Sequence, residues 1–370
     1  MTKSLRRAVG SLLVVGLGGT ELTSLERAWL RLVRPAGVIL FRRNIADASQ
    51  TRALLNEATA LSAEQALRCL DLEGGTVDRL RDALAPMPSS QDVAIATSFP
   101  RCSHLASKHG ELVGRAIKAF GFNTTLAPVL DLATLDSSVV MGTRAPASTP
   151  EGVIRYARGF LTGLSSAGVA GCGKHFPGLG GGELDSHLET PVIRRSMNKL
   201  WNEDLAPYRE LRDELPMVMV NHASYPTTPS KSRPASVSSF WITKVLRKRI
   251  GYRGIVFSDD LEMGGILKFM PIEEAVIAAA RSGMDLMEIC HSPELILRAY
   301  EALISEAERS KAFAHLMMAR STHTSQLRRK LFVGGIPKAL NSKQFEALRT
   351  QVVRFSEVIS SRRAKEAQIA

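Results

Sequence analysis

Gly168-Val169-Ala170-Gly171-Cys172-Gly173-Lys174-His175-Phe176-Pro177-Gly178-Leu179-Gly180-Gly181-Gly182-Glu183-Leu184-Asp185-Ser186-His187 holds a strand, a junction and a loop in one stretch. Its small, apolar first part reads as a short buried strand, and Pro177 with the glycines after it makes a loop that no sheet could hold. Lys174 and His175 stand where the strand stops. The loop then delivers a carboxylate and an imidazole two residues apart. In extended backbone, positions i and i+2 point to the same side. Asp185 can therefore accept from one ring nitrogen of His187 and fix its tautomer, which leaves the other nitrogen free to give or take a proton. His175, Asp185 and His187 are also three ligand-type side chains, but their spacing matches no metal motif of defined geometry, so no metal is expected.

The strand of this stretch is one of eight. Short apolar runs at 12–17, 37–41, 67–72, 123–130, 169–175, 217–222, 254–258 and 284–290 alternate with helix candidates at 24–33, 49–61, 103–120, 150–167, 197–213, 238–250, 272–282 and 293–310. Thr149-Pro150-Glu151 is an N-cap followed by Pro at the first helical position, while Gly121, Gly168, Gly251 and Gly283 follow helix ends that want a left-handed cap. Eight strand-helix pairs imply an α/β fold, a (β/α)8 TIM-type barrel, with additional C-terminal helices. At 370 residues the chain accommodates a catalytic barrel over 1–310 and a basic helical extension over 311–370. An open doubly wound sheet is the structural alternative, but Gly16-Leu17-Gly18-Gly19-Thr20 is too thin a glycine signal for a dinucleotide site, and no cofactor motif is found.

In such barrels the active site forms at the carboxyl ends of the strands. Those ends carry Arg42, Arg43 and Asn44; Asp71, Glu73 and Arg79; Asp131 and Arg144; Lys174 and His175; Asn221 and His222; and Asp259, Asp260 and Glu262. The opposite junctions carry no comparable set. Phe257-Ser258-Asp259-Asp260-Leu261-Glu262-Met263 closes an apolar strand with two adjacent carboxylates, which point in different directions. Asp259 is read as the one at the mouth, with its neighbour tied to backbone or to a cation. Alternation alone does not say which face looks inward. A carboxylate nucleophile with a separate proton donor is the equipment of retaining glycoside hydrolysis.

These segments resemble the β-N-acetylhexosaminidases of glycoside hydrolase family 3, the compact type that removes N-acetylglucosamine from cell-wall muropeptides. The matching residues are Gly37-Val38-Ile39-Leu40-Phe41-Arg42-Arg43-Asn44, Asp71-Leu72-Glu73-Gly74-Gly75-Thr76-Val77-Asp78-Arg79, Leu126-Ala127-Pro128-Val129-Leu130-Asp131, Lys174-His175-Phe176-Pro177-Gly178, Asp185-Ser186-His187 and Phe257 to Met263, in family order over roughly residues 10 to 300. The resemblance implies that Asp259 is the nucleophile and that His187, held by Asp185, is the acid/base. It implies that Asp71, Arg79, Arg144, Lys174 and His175 bind the N-acetylated sugar. The chain departs from the family at Leu179, where His is usual, at Thr76, where a basic residue is frequent, and in Gly180-Gly181-Gly182.

The formal charge of +12 invites a nucleic-acid reading. Residues 301–370 carry 13 Lys+Arg against 6 Glu, a net +7, with no aromatic-basic interleaving, so a solvated helix face explains the charge and no nucleic acid is expected. Lys3, Arg6 and Arg7 before an apolar run look superficially like a signal peptide, but the run is broken by Gly10, Gly16, Gly18 and Gly19 and is needed as a strand. Cys69, Cys102, Cys172 and Cys290 show no CxxC pairing. A cytoplasmic monomer with a carbohydrate substrate and no membrane span is expected. Two rivals use the same residues: a phosphorylase of the same architecture, since a histidine acid/base repels phosphate less than a carboxylate does, and a sugar-binding barrel without catalysis.

Overall fold

Eight parallel strands close on themselves in sequence order: β1 (Leu13–Gly16), β2 (Gly37–Leu40), β3 (Leu67–Leu70), β4 (Thr124–Thr125), β5 (Ala170–Phe176), β6 (Met217–Val220), β7 (Ile255–Asp260) and β8 (Leu286–Ile289), which pairs back onto β1. The computed structural model describes residues 3–97, 104–135, 141–181, 190–335 and 338–367. Asp185, Ser186, His187 and Cys102 lie outside these residues. The barrel expected from the alternation is the barrel observed.

Each strand is buried on both faces, and alternation divides its side chains between two cores. Val14, Ile39, Cys69, Cys172, Met219 and Phe257 belong to the cluster that fills the barrel, while Val15, Val38, Leu70, Val218, Val256 and Met287 belong to the cluster shared with the surrounding helices. Phe332, Leu327 and Leu331 close the base of the inner cluster. Beside them the buried Arg328 donates to the carbonyls of Ala36 (2.9 Å) and Glu64 (3.1 Å).

The helices start and stop on the signals read from the sequence. Thr149 accepts from Gly152 N at the head of the helix Pro150–Ser166, and Gly251 and Gly283 take the left-handed cap at φ 83° and 113°. Two expectations needed correction. The run 123–130 ladders only as Thr124–Thr125, because Pro128 has no N–H to give the sheet; beyond it Leu130 N donates to Lys174 O. The helix expected over 197–213 is two short ones, Met197–Asn202 and Ala206–Glu210, because Pro207 cannot continue an earlier turn.

Several elements were not anticipated. The helix Lys3–Gly10 packs against the helices Pro293–Arg309 and Lys311–Leu331. An antiparallel hairpin, Leu72–Gly74 with Val77–Asp78, rises from the end of β3, its turn made by Gly74 and Gly75 at positive φ. The helix Ser90–Thr97 follows it. The basic C-terminal segment forms Lys311–Leu331 and Ser342–Ala367, the latter burying Leu348, Val352, Phe355 and Ile359 along one face. Among the described residues no helix is long and apolar enough to cross a membrane.

Candidate active site

The inner face of the barrel decides which strand-end residues enter the mouth. On β3 the inward positions are Leu67 and Cys69, and the next is Asp71; on β5 they are Ala170 and Cys172, and the next is Lys174. On β7 they are Ile255 and Phe257, and the next is Asp259. The alternation that the sequence left undecided is thereby fixed by the core. Asp71, Arg79, Arg144, Lys174, His175 and Asp259 all line one cavity of about 880 Å³, counting its open mouth, with Phe41, Leu126, Leu179 and Met219 among its apolar walls. Six of the eight residues singled out from the sequence are brought together. The other two, Asp185 and His187, lie outside the described residues.

A buried ionic cluster occupies one side of the cavity. Lys174 Nζ donates to Asp71 Oδ1 at 2.8 Å and pairs with Glu73 Oε1 at 2.6 Å. Arg144 grips Glu73 with two donors, Nε to Oε2 at 2.8 Å and Nη2 to Oε1 at 2.9 Å, and Arg79 Nη2 reaches Asp71 Oδ2 at 3.4 Å. Such planar, two-point pairing is a property of guanidinium that an ammonium cannot copy. Burial alone would raise both carboxyls. Lys174, Arg79 and Arg144 outweigh it for Asp71, which is held well below its ordinary value, and Arg144 with Lys174 brings Glu73 down to about 2. Burial would equally lower the Lys174 ammonium, but Asp71 and Glu73 raise it above its usual value. The cluster is thus ionised on both sides, and its charges stand rigid before any ligand arrives.

His175 is held from both ends. Its ring Nδ1–H donates to Asp131 Oδ2 at 2.7 Å and its backbone N–H to the same oxygen at 3.0 Å, while Nε2 faces Arg144 Nη2 at 3.4 Å. The other Asp131 oxygen accepts from Leu179 N at 2.7 Å. Leu179 therefore serves the site through its backbone, and its side chain packs into the cavity wall. Thr76 stands exposed on the hairpin turn.

The two adjacent acids of β7 differ in role. Asp260 accepts from Glu262 N (3.0 Å) and Cys290 N (3.2 Å), the backbone tether expected of the second acid. Burial, with Glu262 and Asp259 close by, pushes its carboxyl up to about 7. Asp259 accepts from Asp260 N at 3.0 Å and has no cationic partner among the described residues. A carboxylate free of cations at a cavity mouth is available to a carbon electrophile.

Other strand-end groups are structural. Arg43 donates to Leu17 O and Cys290 O, Asn44 to Leu17 O and Gly19 O, and Asn221 Nδ2 to His175 O. Among the described residues one group has the make-up of a metal site, Asp260, Glu262 and His291. Its donors are largely spent: Glu262 accepts from the backbone N–H of His291 and Ser292, and His291 Nδ1 faces Arg43 Nη1 at 3.1 Å. Glu73, Asp131, Asp260 and Glu288 are the lining or supporting acids that the sequence reading did not select as site residues. The first three were visible as strand-end acids; Glu288 was visible as a lone carboxyl inside an apolar run.

Residues 4–326 match the N-terminal domain of glycosyl hydrolase family 3, so the barrel and its mouth are those of a glycoside hydrolase. The chain is 40% identical over 287 residues to a β-hexosaminidase of Alkalilimnicola ehrlichii, spanning 77% of this chain and 82% of the relative. It is 39% identical over 286 residues to that of Thiobacillus denitrificans, spanning 76% and 79%. The chain belongs to glycosyl hydrolase family 3. Among solved structures, the family 3 β-N-acetylglucosaminidase of Paenibacillus sp. strain FPU-7 superposes with a TM-score of 0.84 at 30% identity, over 96% of this chain and 69% of that one. NagZ of Neisseria gonorrhoeae, solved with N-trifluoroacetyl-D-glucosamine, superposes with a TM-score of 0.76 at 28% identity, over 94% and 98%.

Proposed function

We propose that this chain is a retaining β-N-acetylhexosaminidase that releases terminal β-linked N-acetylglucosamine, from peptidoglycan fragments in the cytoplasm. The observation that carries the reading is the placement of Asp259, inward at the end of β7, without a cationic partner among the described residues, in a cavity whose other side is a fixed ionic cluster. The names of the relatives supply the N-acetylated sugar, and the buried, unpaired thiols Cys69, Cys172 and Cys290 agree with a reducing compartment.

In the first half-reaction an Asp259 oxygen attacks the anomeric carbon as the bond to the leaving oxygen breaks. His187, oriented by Asp185, gives that oxygen its proton. The glycosyl-Asp259 ester is then attacked by water, which loses a proton to the now neutral His187, and the Asp259 carboxylate departs. Two inversions restore the β configuration. Asp71, Lys174, Arg144, Arg79 and His175 hold the sugar hydroxyls. Because their charges are already fixed by one another, they orient the ring with little reorganisation.

The test is hydrolysis of 4-nitrophenyl β-N-acetylglucosaminide beside the matching β-glucoside, with and without phosphate. Asp259→Ala should abolish turnover, and azide should rescue it with the α-glycosyl azide as product. His187→Ala should lower kcat by about 10²–10⁴-fold, and its azide product should be β. Full activity in Asp259→Ala would overturn the assignment. Sugar 1-phosphate formed only in phosphate would make the enzyme a phosphorylase.

A further inference from the structure

One lining residue has no part in the mechanism above. Glu288 sits in the middle of β8, where Leu286 and Cys290 are the flanking inward positions, so its side chain points into the barrel rather than toward the helices. It is 3% exposed and lines the cavity with Asp259 and Asp260. Its backbone N–H donates to Ser258 Oγ at 2.9 Å, and its Oε1 accepts from the Cys290 thiol at 2.9 Å. Its Oε2 is buried and has no partner among the described residues.

We propose that Glu288 is a specificity-determining residue of the sugar subsite, whose Oε2 hydrogen-bonds one oxygen of the pyranose that enters deepest into the barrel. This rests on the glycosidase reading and extends it. The groups that face Glu288 are the acids Asp71 on the β3 side and Asp259 and Asp260 on β7, with thiols Cys69, Cys172 and Cys290. No cation pairs with it among the described residues. Burial, then the neighbouring Asp260, raise its carboxyl above the ordinary value. Since Oε1 is taken by the thiol, Oε2 is the atom left to meet a ligand. A buried polar atom left without a partner is costly, and a hydroxyl of a sugar fits that need. A lone hydrogen-bonding group of this kind in a pocket discriminates strongly between a sugar bearing the matching oxygen and one lacking it.

The test compares wild type, Glu288→Gln, Glu288→Leu and Glu288→Met, with the 3-, 4- and 6-deoxy analogues of 4-nitrophenyl β-N-acetylglucosaminide as substrates and the corresponding free sugars in calorimetric binding. Gln keeps both an acceptor and a donor; Leu and Met remove both with different shapes, so one misfolded variant does not end the experiment. Wild type and Glu288→Gln should both penalise one deoxy analogue. In the Leu and Met variants kcat/KM for the full sugar should fall about 10- to 100-fold, and the penalty at that one position should vanish. A uniform loss across all analogues, or wild-type kcat/KM and unchanged discrimination in the Leu and Met variants, would overturn the proposal. Binding that discriminates in this way without any turnover by wild type would sink the hydrolase reading and still support Glu288.

Discussion

Replacing Lys174 by Met tests the ionic cluster directly. The ammonium lies 2.8 Å from Asp71 and 2.6 Å from Glu73, and its side chain is 4% exposed. Met keeps the unbranched stem and deletes the charge. Glu73 would retain its two-point grip by Arg144, but Asp71 would be left with Arg79 at 3.4 Å, whose side chain is 30% exposed. Removing one partner of a buried pair costs about 3–5 kcal/mol. At about 2.1 cal/mol/K per residue over 370 residues, the unfolding entropy is about 0.8 kcal/mol/K, so Tm should fall by about 4–6 °C. The pH dependence has a definite sign. Glu73 at about 2 and Asp71, also held low, are depressed carboxyls, whose contribution is present above their ordinary values of 4.5 and 3.8 and is lost as pH falls through their folded values. The gap between wild type and variant, followed by circular dichroism melts, should therefore be full at pH 7 and narrow below about pH 4. Adding Asp71→Asn to the variant should recover part of it. A gap under about 1 °C at pH 7, or one that stays constant with pH, would refute the reasoning, for it would mean that Coulomb attraction and desolvation cancel at this site.

Asp131→Ala should act through His175: it removes the acceptor of the ring Nδ1–H and of the backbone N–H of His175 and Leu179, so kcat/KM should fall by about 10–100-fold, the equivalent of a hydrogen bond to a charged group at about 1.5–3 kcal/mol, and mainly through KM. A loss confined to kcat would show that His175 is not a sugar-positioning group. Asp260→Asn should gain stability relative to wild type as pH rises from 5 to 8. The native carboxyl, raised from 3.8 to about 7, contributes stability that is complete below its ordinary value and is lost as pH rises through 7, whereas the amide does not titrate. Melting curves that shift in parallel at both pH values would contradict this.

The barrel was legible because the sequence repeats one unit eight times, and the helix ends were legible because Thr149, Gly251 and Gly283 carry their own caps. The facing of Asp259 was not. Ile255, Val256 and Phe257 are all apolar because a barrel strand is buried on both faces, so the pattern contains no polar side from which to take the phase. Only the three-dimensional core, which claims Phe257 for the interior and Val256 for the helices, supplies it. Glu73 was visible as a strand-end acid, but its partnership with Arg144 spans 71 residues and follows from closure of the barrel, not from local spacing. The hairpin at Gly74-Gly75 and the break at Pro207 had local signals of ordinary strength. Glu288 had one too, an acid between Met287 and Ile289, which attention to strand ends passes over.

Five carboxyls, Asp71, Glu73, Asp259, Asp260 and Glu288, line a single cavity, and were all of them charged and unpaired the mouth would repel itself apart. The fold sorts them by neighbour. Asp71 and Glu73, on the side of β3, are given to Lys174, Arg79 and Arg144 and are held ionised. Asp260 and Glu288, on β7 and β8, have burial and other acids for company and are driven toward the neutral form. What remains is Asp259, the lining carboxyl with no cationic partner among the described residues. Environments that push neighbouring acids apart are how one site assigns different tasks to the same functional group. In the proposed mechanism this last is the carboxyl that would meet positive charge at an anomeric carbon: Asp259. There the paired acids and their cations would grip hydroxyls, and Glu288 would select among them.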